Sequence, residues 1–320
     1  MRVVTDIDGL NRVAPAGTTV VVVSSGKVSH RWRRNWRLLV AAWRSDYLVI
    51  HFQLPEVIFF SAILSLWPGR RPRLVTLDFF VGNLNPMMRV LARWSLGRVD
   101  RFLVHFRDAS ILESKFGLAP GRFHYVPFKV NSLPLIQAAH PADEGYIFCG
   151  GRSRRDFRTL FAAAADLGYP VKVLTAPEEE MNPHGSSLRG LEIPKNVEVS
   201  YNDSDSAFFV RCLAGARLVV LPLIKDRDTQ AGIAICLMAM ALRKCVIVSA
   251  GLGISDVLLE DQAIIVPAGD VTALRTAIEE AWRNDGLREG YAAKGCLYAQ
   301  ALGGDDQLRR SVLEALSTSA

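Results

Sequence analysis

The stretch QAGIAICLMAMALRKCVIVSAG, residues 230–251, decides how this 320-residue chain is read. Gly232 opens an apolar run of helical length, Arg243 and Lys244 close it, and the β-branched CVIVS follows as a buried strand. Before it lie a strand, RLVVLPL (217–223), and the loop LIKDRDTQ (223–230). A helix that starts directly after such a loop presents unsatisfied backbone N–H groups and the positive end of its dipole. That combination suits a diphosphate. No acid occurs anywhere in the stretch.

Outward from this segment, β-branched runs alternate with helical patterns. TTVVVVSS (18–25), YLVIHF (47–52), RLVTLDFF (73–80) and RFLVHF (101–106) read as strands in the first half. YIFCGG (146–151), VKVLTA (171–176) and VEVSY (197–201) read as strands in the second. Near-continuous apolar strands separated by helices predict parallel sheets covered on both faces. The segment 128–145, KVNSLPLIQAAHPADEGY, breaks the alternation. The expected organisation is α/β: two Rossmann-like, doubly wound domains facing across a cleft, at 1–130 and 146–303. A linker at 131–145 joins them, and a C-terminal helix at 304–320 packs back on the first domain. Ligands in such sheets bind at the carboxyl ends of the strands. Residues 176–196 form a long break between strands, the pattern of a binding loop or lid. Asp270 is placed to cap the helix DVTALRTAIEEAWRND.

Residues 1–140 carry 19 Lys and Arg against 8 Asp and Glu, a net of +11; the remainder carries 19 against 24, a net of −5. The basic half favours phosphates or an anionic membrane face. Nucleic acid fits poorly, since the chain has no recognised nucleic-acid module and its second half is acidic. The five cysteines, all in the second half, show no C-x-x-C spacing, which suits reduced thiols in the cytoplasm and gives no metal site. The opening MRVVTDIDGL lacks the apolar core of a secretory signal. The most apolar run, VIFFSAILSLW (57–67), is too short to span a bilayer. In SHRWRRNWR (29–37), Arg31, Arg33, Arg34 and Arg37 alternate with Trp32 and Trp36, a composition that can lie on an anionic bilayer with its rings at headgroup level, grip polyanionic phosphate, or form a solvated helix face with its tryptophans turned inward. A peripheral location on the inner face of the cytoplasmic membrane follows as an expectation.

Taken in order, GGRSRRD (150–156), VVLPL, MAMA (238–241), RKCVIVS (243–249) and VPAGDVTALRTAI (266–278) resemble the donor domain of GT-B glycosyltransferases, specifically family four of the exopolysaccharide type. The first half resembles the acceptor domain less closely, through the D-x-x-x-x-H spacing of DYLVIH. The resemblance implies transfer of a hexose from a nucleotide diphosphate sugar, with retention and without a metal or bound cofactor. The acceptor it implies is a polyprenyl-linked or other membrane-proximal glycan. It places Gly150, Gly151, Arg152, Arg227, Asp228, Gln230, Gly232 and Met238 at the donor. Arg155 and Lys225 offset the charge of the departing diphosphate, and His51 meets the reacting sugar or acceptor hydroxyl. Glu56 and Asp78, near the same strand ends, are candidates for acceptor binding, and His105 ends a third strand.

Two features depart from the family pattern. The amino-terminal glycine-rich loop is reduced to SSGK (24–27). The family's second glutamate, a ribose contact, is Met238 here, and its first falls near Gln230, with Asp228 the nearest carboxylate. Losing a bidentate ribose contact costs about 1.5–3 kcal/mol of binding, or roughly ten- to hundredfold in affinity. The alternative is therefore a catalytically degenerate GT-B subunit that serves as a scaffold in polysaccharide synthesis. A sugar-nucleotide epimerase gives the basic first helix no purpose, and no G-x-G-x-x-G follows a strand to suggest an NAD enzyme. On the transferase reading, Arg155→Ala removes most turnover with little change in fold stability.

Overall fold

The computed structural model describes residues 1–24, 31–82, 84–225 and 230–318. It forms two compact units, Met1–Pro127 with Asp306–Ala320, and Phe128–Asp305. The first contains β1 (Arg2–Thr5), β2 (Thr19–Val22), α1 (Arg31–Ala41), β3 (Tyr47–His51), α2 (Leu54–Ser65), β4 (Arg73–Leu77), α3 (Pro86–Leu96), β5 (Arg101–Val104), α4 (Ser110–Phe116) and β6 (Phe123–Tyr125). Its six strands are all parallel, in the order β2-β1-β3-β4-β5-β6. From β2 onward the chain steps in one direction across this sheet. Right-handed crossovers therefore lay α1, α2 and α3 on one face.

The second unit contains α5 (Leu133–Ala138), β7 (Ile147–Gly150), α6 (Phe157–Ala164), β8 (Val171–Leu174), α7 (Glu178–Met181), β9 (Val197–Ser200), α8 (Ser206–Ala214), β10 (Leu218–Leu221), α9 (Ile233–Ala241), β11 (Cys245–Ser249), β12 (Ile264–Val266), α10 (Val271–Arg283) and α11 (Asp285–Leu302). Its sheet is again six parallel strands, β12-β11-β10-β7-β8-β9. The helix starts are set by short acids and amides. Asp156 accepts from Thr159 N–H, Asp205 from Phe208, Asp270 from Ala273 and Asn284 from Leu287.

The stretch expected as a linker, 131–145, carries α5 and is tied into the second unit. Ala142 N–H donates to the Ala214 carbonyl at 2.9 Å, and buried Lys244 donates from Nζ to the Ala142 and Ala216 carbonyls at 2.6 and 2.8 Å. The break at 176–196 is ordered by α7, whose Glu178 accepts from Ser187 Oγ and from Leu188 N–H.

After α11 the chain returns to the first unit as α12 (Asp305–Ser317). Period-2 alternation divides the first sheet between two layers. Val3, Tyr47, Val49, Val75, Leu77 and Leu103 share a core with Val312, Leu313 and Leu316 of α12. Tyr47 donates its hydroxyl to the Leu316 carbonyl at 3.0 Å, and Arg309 donates to the Asp8 carbonyl at 2.9 Å. Leu313 is 2 % exposed. Leu313→Ala is expected to destabilise the first unit by about 2–5 kcal/mol. Five of the six tryptophans (32, 36, 43, 67 and 94) lie in that unit, so the loss reads as an earlier tryptophan-fluorescence transition in urea.

Candidate functional site

In the first unit the polar groups gather at the carboxyl ends of the strands. β3 is buried over its first four residues and exposes only His51, whose side chain is 49 % exposed. Asp6, the residue after β1, is buried. Its Oδ1 accepts the His51 backbone N–H at 2.9 Å and faces the ring Nδ1 at 3.4 Å. Arg34 of α1 turns inward, 3.8 Å from Asp6 Oδ2 and hydrogen-bonded to buried Glu56 of α2. The Asp6 contact raises the His51 pKa above its ordinary 6.5, against burial and the Arg34 charge. Burial pushes the Glu56 carboxyl up despite Arg34.

One strand over, Asp78 follows β4 with a φ of 69°, a left-handed conformation unusual for a non-glycine residue. Its carboxylate is half exposed, and Nε2 of buried His105 lies 3.2 Å from Oδ1. The other ring nitrogen of His105, Nδ1, faces the Val126 carbonyl at 2.8 Å. Burial opposes ionisation of Asp78, but the His105 contact outweighs it and holds the pKa below 3.8.

The remaining residues of the basic-aromatic segment face away. Arg31, Trp32, Arg33, Trp36 and Arg37 are exposed, while Asn35, Leu38 and Leu39 are buried. Residues 29 and 30, and all of SSGK but Ser24, lie outside the described residues. Among the described residues no helix is long and apolar enough to cross a membrane.

In the second unit, β7 ends at Gly150 and the chain turns at Gly151, φ 90°. Arg152 is committed to acids: it donates to both Asp203 oxygens at 2.9 and 2.7 Å and to Glu180 Oε2 at 2.6 Å. Arg155, 3 % exposed, lies beneath the turn. It donates to the Gly150 carbonyl at 2.8 Å and the Ser153 carbonyl at 2.7 Å, and its own N–H is accepted by Ser186 Oγ at 2.7 Å. Such a buried cation braces the turn as well as charging it, so Arg155→Ala costs stability too, contrary to the sequence-based expectation.

Lys225 is exposed and makes no ion pair or hydrogen bond among the described residues. Arg227 and Asp228 lie outside them. Gln230 packs where a Cβ on Gly253 would lie 2.8 Å from its Cγ. Gly232 is the N-cap of α9, with φ 88° and no side-chain cap. Its carbonyl accepts from the Ile235 and Cys236 N–H groups at 3.1 Å, and the Ile233 and Ala234 N–H groups meet no acceptor among the described residues. Met238, one turn on, is buried.

Sequence reasoning missed Asp6 and the supporting roles of Asp203, Ser186 and Ser249, which accepts the Leu223 N–H at 3.0 Å. A signal for Asp6 was present. It lay in RVVT (2–5), an apolar run that the sequence reading did not count as a strand and that forms β1, so that Asp6 is the first acid after the first strand of the sheet.

No family model matches the chain, and no curated protein matches it by sequence. Solved structures match its fold. Anabaena Alr3699/HepE in complex with UDP and glucose is 12 % identical, with 100 % of each chain covered and a TM-score of 0.68. Sucrose-phosphate synthase from Thermosynechococcus elongatus is 14 % identical, covering 96 % of this chain and 81 % of that one, TM-score 0.65. A UDP-forming α,α-trehalose-phosphate synthase from Burkholderia xenovorans is 12 % identical, covering 90 % and 78 %, TM-score 0.60. The fold is thus that of GT-B glycosyltransferases.

The turn at Gly151 tolerates no side chain. A Cβ there would lie 2.6 Å from Ile235 Cδ1 and 3.0 Å from Arg155 Nη2. Gly151→Ala is expected to cost at least about 1–3 kcal/mol from the backbone alone, measured as an earlier calorimetric transition of the second unit.

Proposed function

We propose that this chain is a glycosyltransferase that moves a hexose from a nucleotide diphosphate sugar. The observation that carries this reading is the start of α9, where N–H groups with no acceptor among the described residues follow a segment bearing exposed Lys225, which has no partner among them either. The N–H groups and the dipole favour the diphosphate, and the lysine adds a fixed charge that grows in value as the nucleotide departs. The HepE structures in complex with UDP and with UDP-glucose support the same donor class. We read the transfer as retaining and metal-independent, on the family resemblance of the sequence motifs. His51 and Asp78 in the first unit are the acceptor-side groups.

The acceptor is read as lipid-linked or membrane-proximal because of the outer face of α1, α2 and α3. α1 and the turn after it expose Trp32, Trp36, Val40 and Trp43, the end of α2 exposes Leu66, and α3 exposes Met87, Val90, Leu91 and Trp94. Phe59 of α2 sits against both Trp32 and Trp36, with ring centroids 5.0 and 5.8 Å away. Between residues 31 and 98 the chain has 11 arginines and only three acids, Asp46, Glu56 and Asp78. An arginine-rich layer with a broad apolar and indole surface matches an anionic bilayer and its headgroup zone. The protein would then work on the inner face of the cytoplasmic membrane in polysaccharide synthesis.

A second reading is favoured by Met238, which puts a buried thioether where the resemblance puts a ribose-binding acid. A degenerate subunit of a polysaccharide-synthesis complex binds no sugar nucleotide. Calorimetric titration with UDP- and GDP-sugars separates the two readings, since the scaffold gives no heat with any of them.

Lys225→Ala is expected to lower kcat/KM for the donor about hundredfold while leaving the thermal midpoint in place. Unchanged turnover would defeat the donor-site assignment. For the membrane face, sedimentation with phosphatidylglycerol–phosphatidylcholine vesicles is expected, weakening with salt. Trp32→Ser with Met87→Ser should reduce it about tenfold or more. Equal binding to pure phosphatidylcholine vesicles would sink the electrostatic part of this reading.

A further inference from the structure

We infer that Asp6 is a positioning residue for His51, holding the imidazole so that Nε2 points outward beside the Asp78 carboxylate as the pair that meets the acceptor's hydroxyls. The pairing rests on the transferase reading for its substrate, but the role of Asp6 rests on geometry alone.

Asp6 has one oxygen turned to the His51 backbone N–H at 2.9 Å and to Nδ1 at 3.4 Å. Its other oxygen faces Arg34 at 3.8 Å, and Arg34 is itself bonded to Glu56. A carboxylate oxygen accepts only from a nitrogen that carries hydrogen. The Asp6 side chain therefore selects the tautomer with hydrogen on Nδ1. Nε2, which has no partner among the described residues, is then the atom offered to solvent. Fixing tautomer and orientation from behind is how a buried carboxylate serves a working histidine.

Asp78 is mounted in the reverse sense. Here the carboxylate is outward, 51 % exposed, and the supporting ring of His105 is 2 % exposed. The β3–β4 register pairs His51 with Leu77, so Asp78 comes one residue beyond His51's partner. The left-handed φ at Asp78 is a local strain of the kind retained where a side chain must be aimed. Phe79, packed against Phe52, Phe102, Phe116 and Phe123, anchors the chain just after it. With hydrogen on Nδ1, neutral His51 presents Nε2 as an acceptor for a hydroxyl hydrogen, and the Asp78 carboxylate is a second acceptor for a neighbouring hydroxyl of the same sugar.

The charged groups facing His51 are Asp6 after β1, Asp78 after β4 and Arg34 on α1. The Asp6 contact is the largest influence that raises its pKa, and Arg34 opposes it. Its removal moves the His51 titration to lower pH.

The test uses the full chain and ring nitrogen and proton NMR. In the wild type above the His51 pKa, the 15N shifts are expected to show hydrogen on Nδ1. In Asp6→Asn, which keeps an acceptor for the backbone N–H, the His51 titration is expected to move down. With a nucleotide sugar that the wild type turns over, Asp6→Asn should lose about hundredfold in kcat with KM little changed, and the acid limb of the pH profile should follow the NMR shift. Hydrogen on Nε2 in the wild type overturns the proposal without need of any variant. So does a titration that does not move in a folded Asp6→Asn chain. A wild type that turns over no sugar nucleotide refutes the transferase reading instead, and the tautomer and titration still decide the role of Asp6.

Discussion

A parallel strand covered on both faces has few places to show a polar side chain, and in these two sheets the carboxyl end is the place that is used. β3 is the clearest case, with four buried residues and then His51 in solvent. Burying the backbone of six strands is affordable only because every ladder is paired, and that pairing forces helices onto both faces. The chemistry is thereby pushed into single residues at strand ends: Asp6, His51, Asp78 and His105 in one sheet, Gly150 and Ser249 in the other. Their spacing follows from strand separation, not from local sequence.

In the second unit the same constraint appears as a demand for space. A Cβ on Gly150 would lie 2.6 Å from the rings of both Phe148 and Phe209, and Gly151 turns with a positive φ over Arg155. The arginine then satisfies carbonyls that the turn leaves unpaired by the ladder. Burial lowers its pKa, but a guanidinium stays charged near neutrality, so Arg155 is the local positive charge beneath the glycines.

What was legible in the sequence was periodicity and punctuation. The strand runs, the Asp270 cap and the start of α9 at Gly232 are local events, each decided by residues within one or two turns. The linker was misread for the same reason: LPLIQA lacks a long apolar pattern, and the attachment of the segment depends on the Ala214 carbonyl and on Lys244, about 70 and about 100 residues beyond Ala142. Arg152, Arg154 and Arg155 look alike in GGRSRRD, but tertiary partners separate them. Arg152 goes to two acids and Arg155 goes beneath the turn. Asp6 and His51 are 45 residues apart and become neighbours only through strand order.

The six residues of the basic-aromatic segment are likewise divided by one helical rotation. Asn35, Leu38 and Leu39 bind α1 to the sheet, which leaves Arg34 at the edge of the buried face and Arg31, Trp32, Arg33, Trp36 and Arg37 exposed. Arg34 therefore faces the strand-end acids, and its neighbours face outward from the helix layer. The two roles share one rigid element. The basic excess of the first half is thus mostly surface, and the small part of it turned inward is the Arg34 guanidinium set against the Asp6 and Glu56 carboxylates at the strand ends.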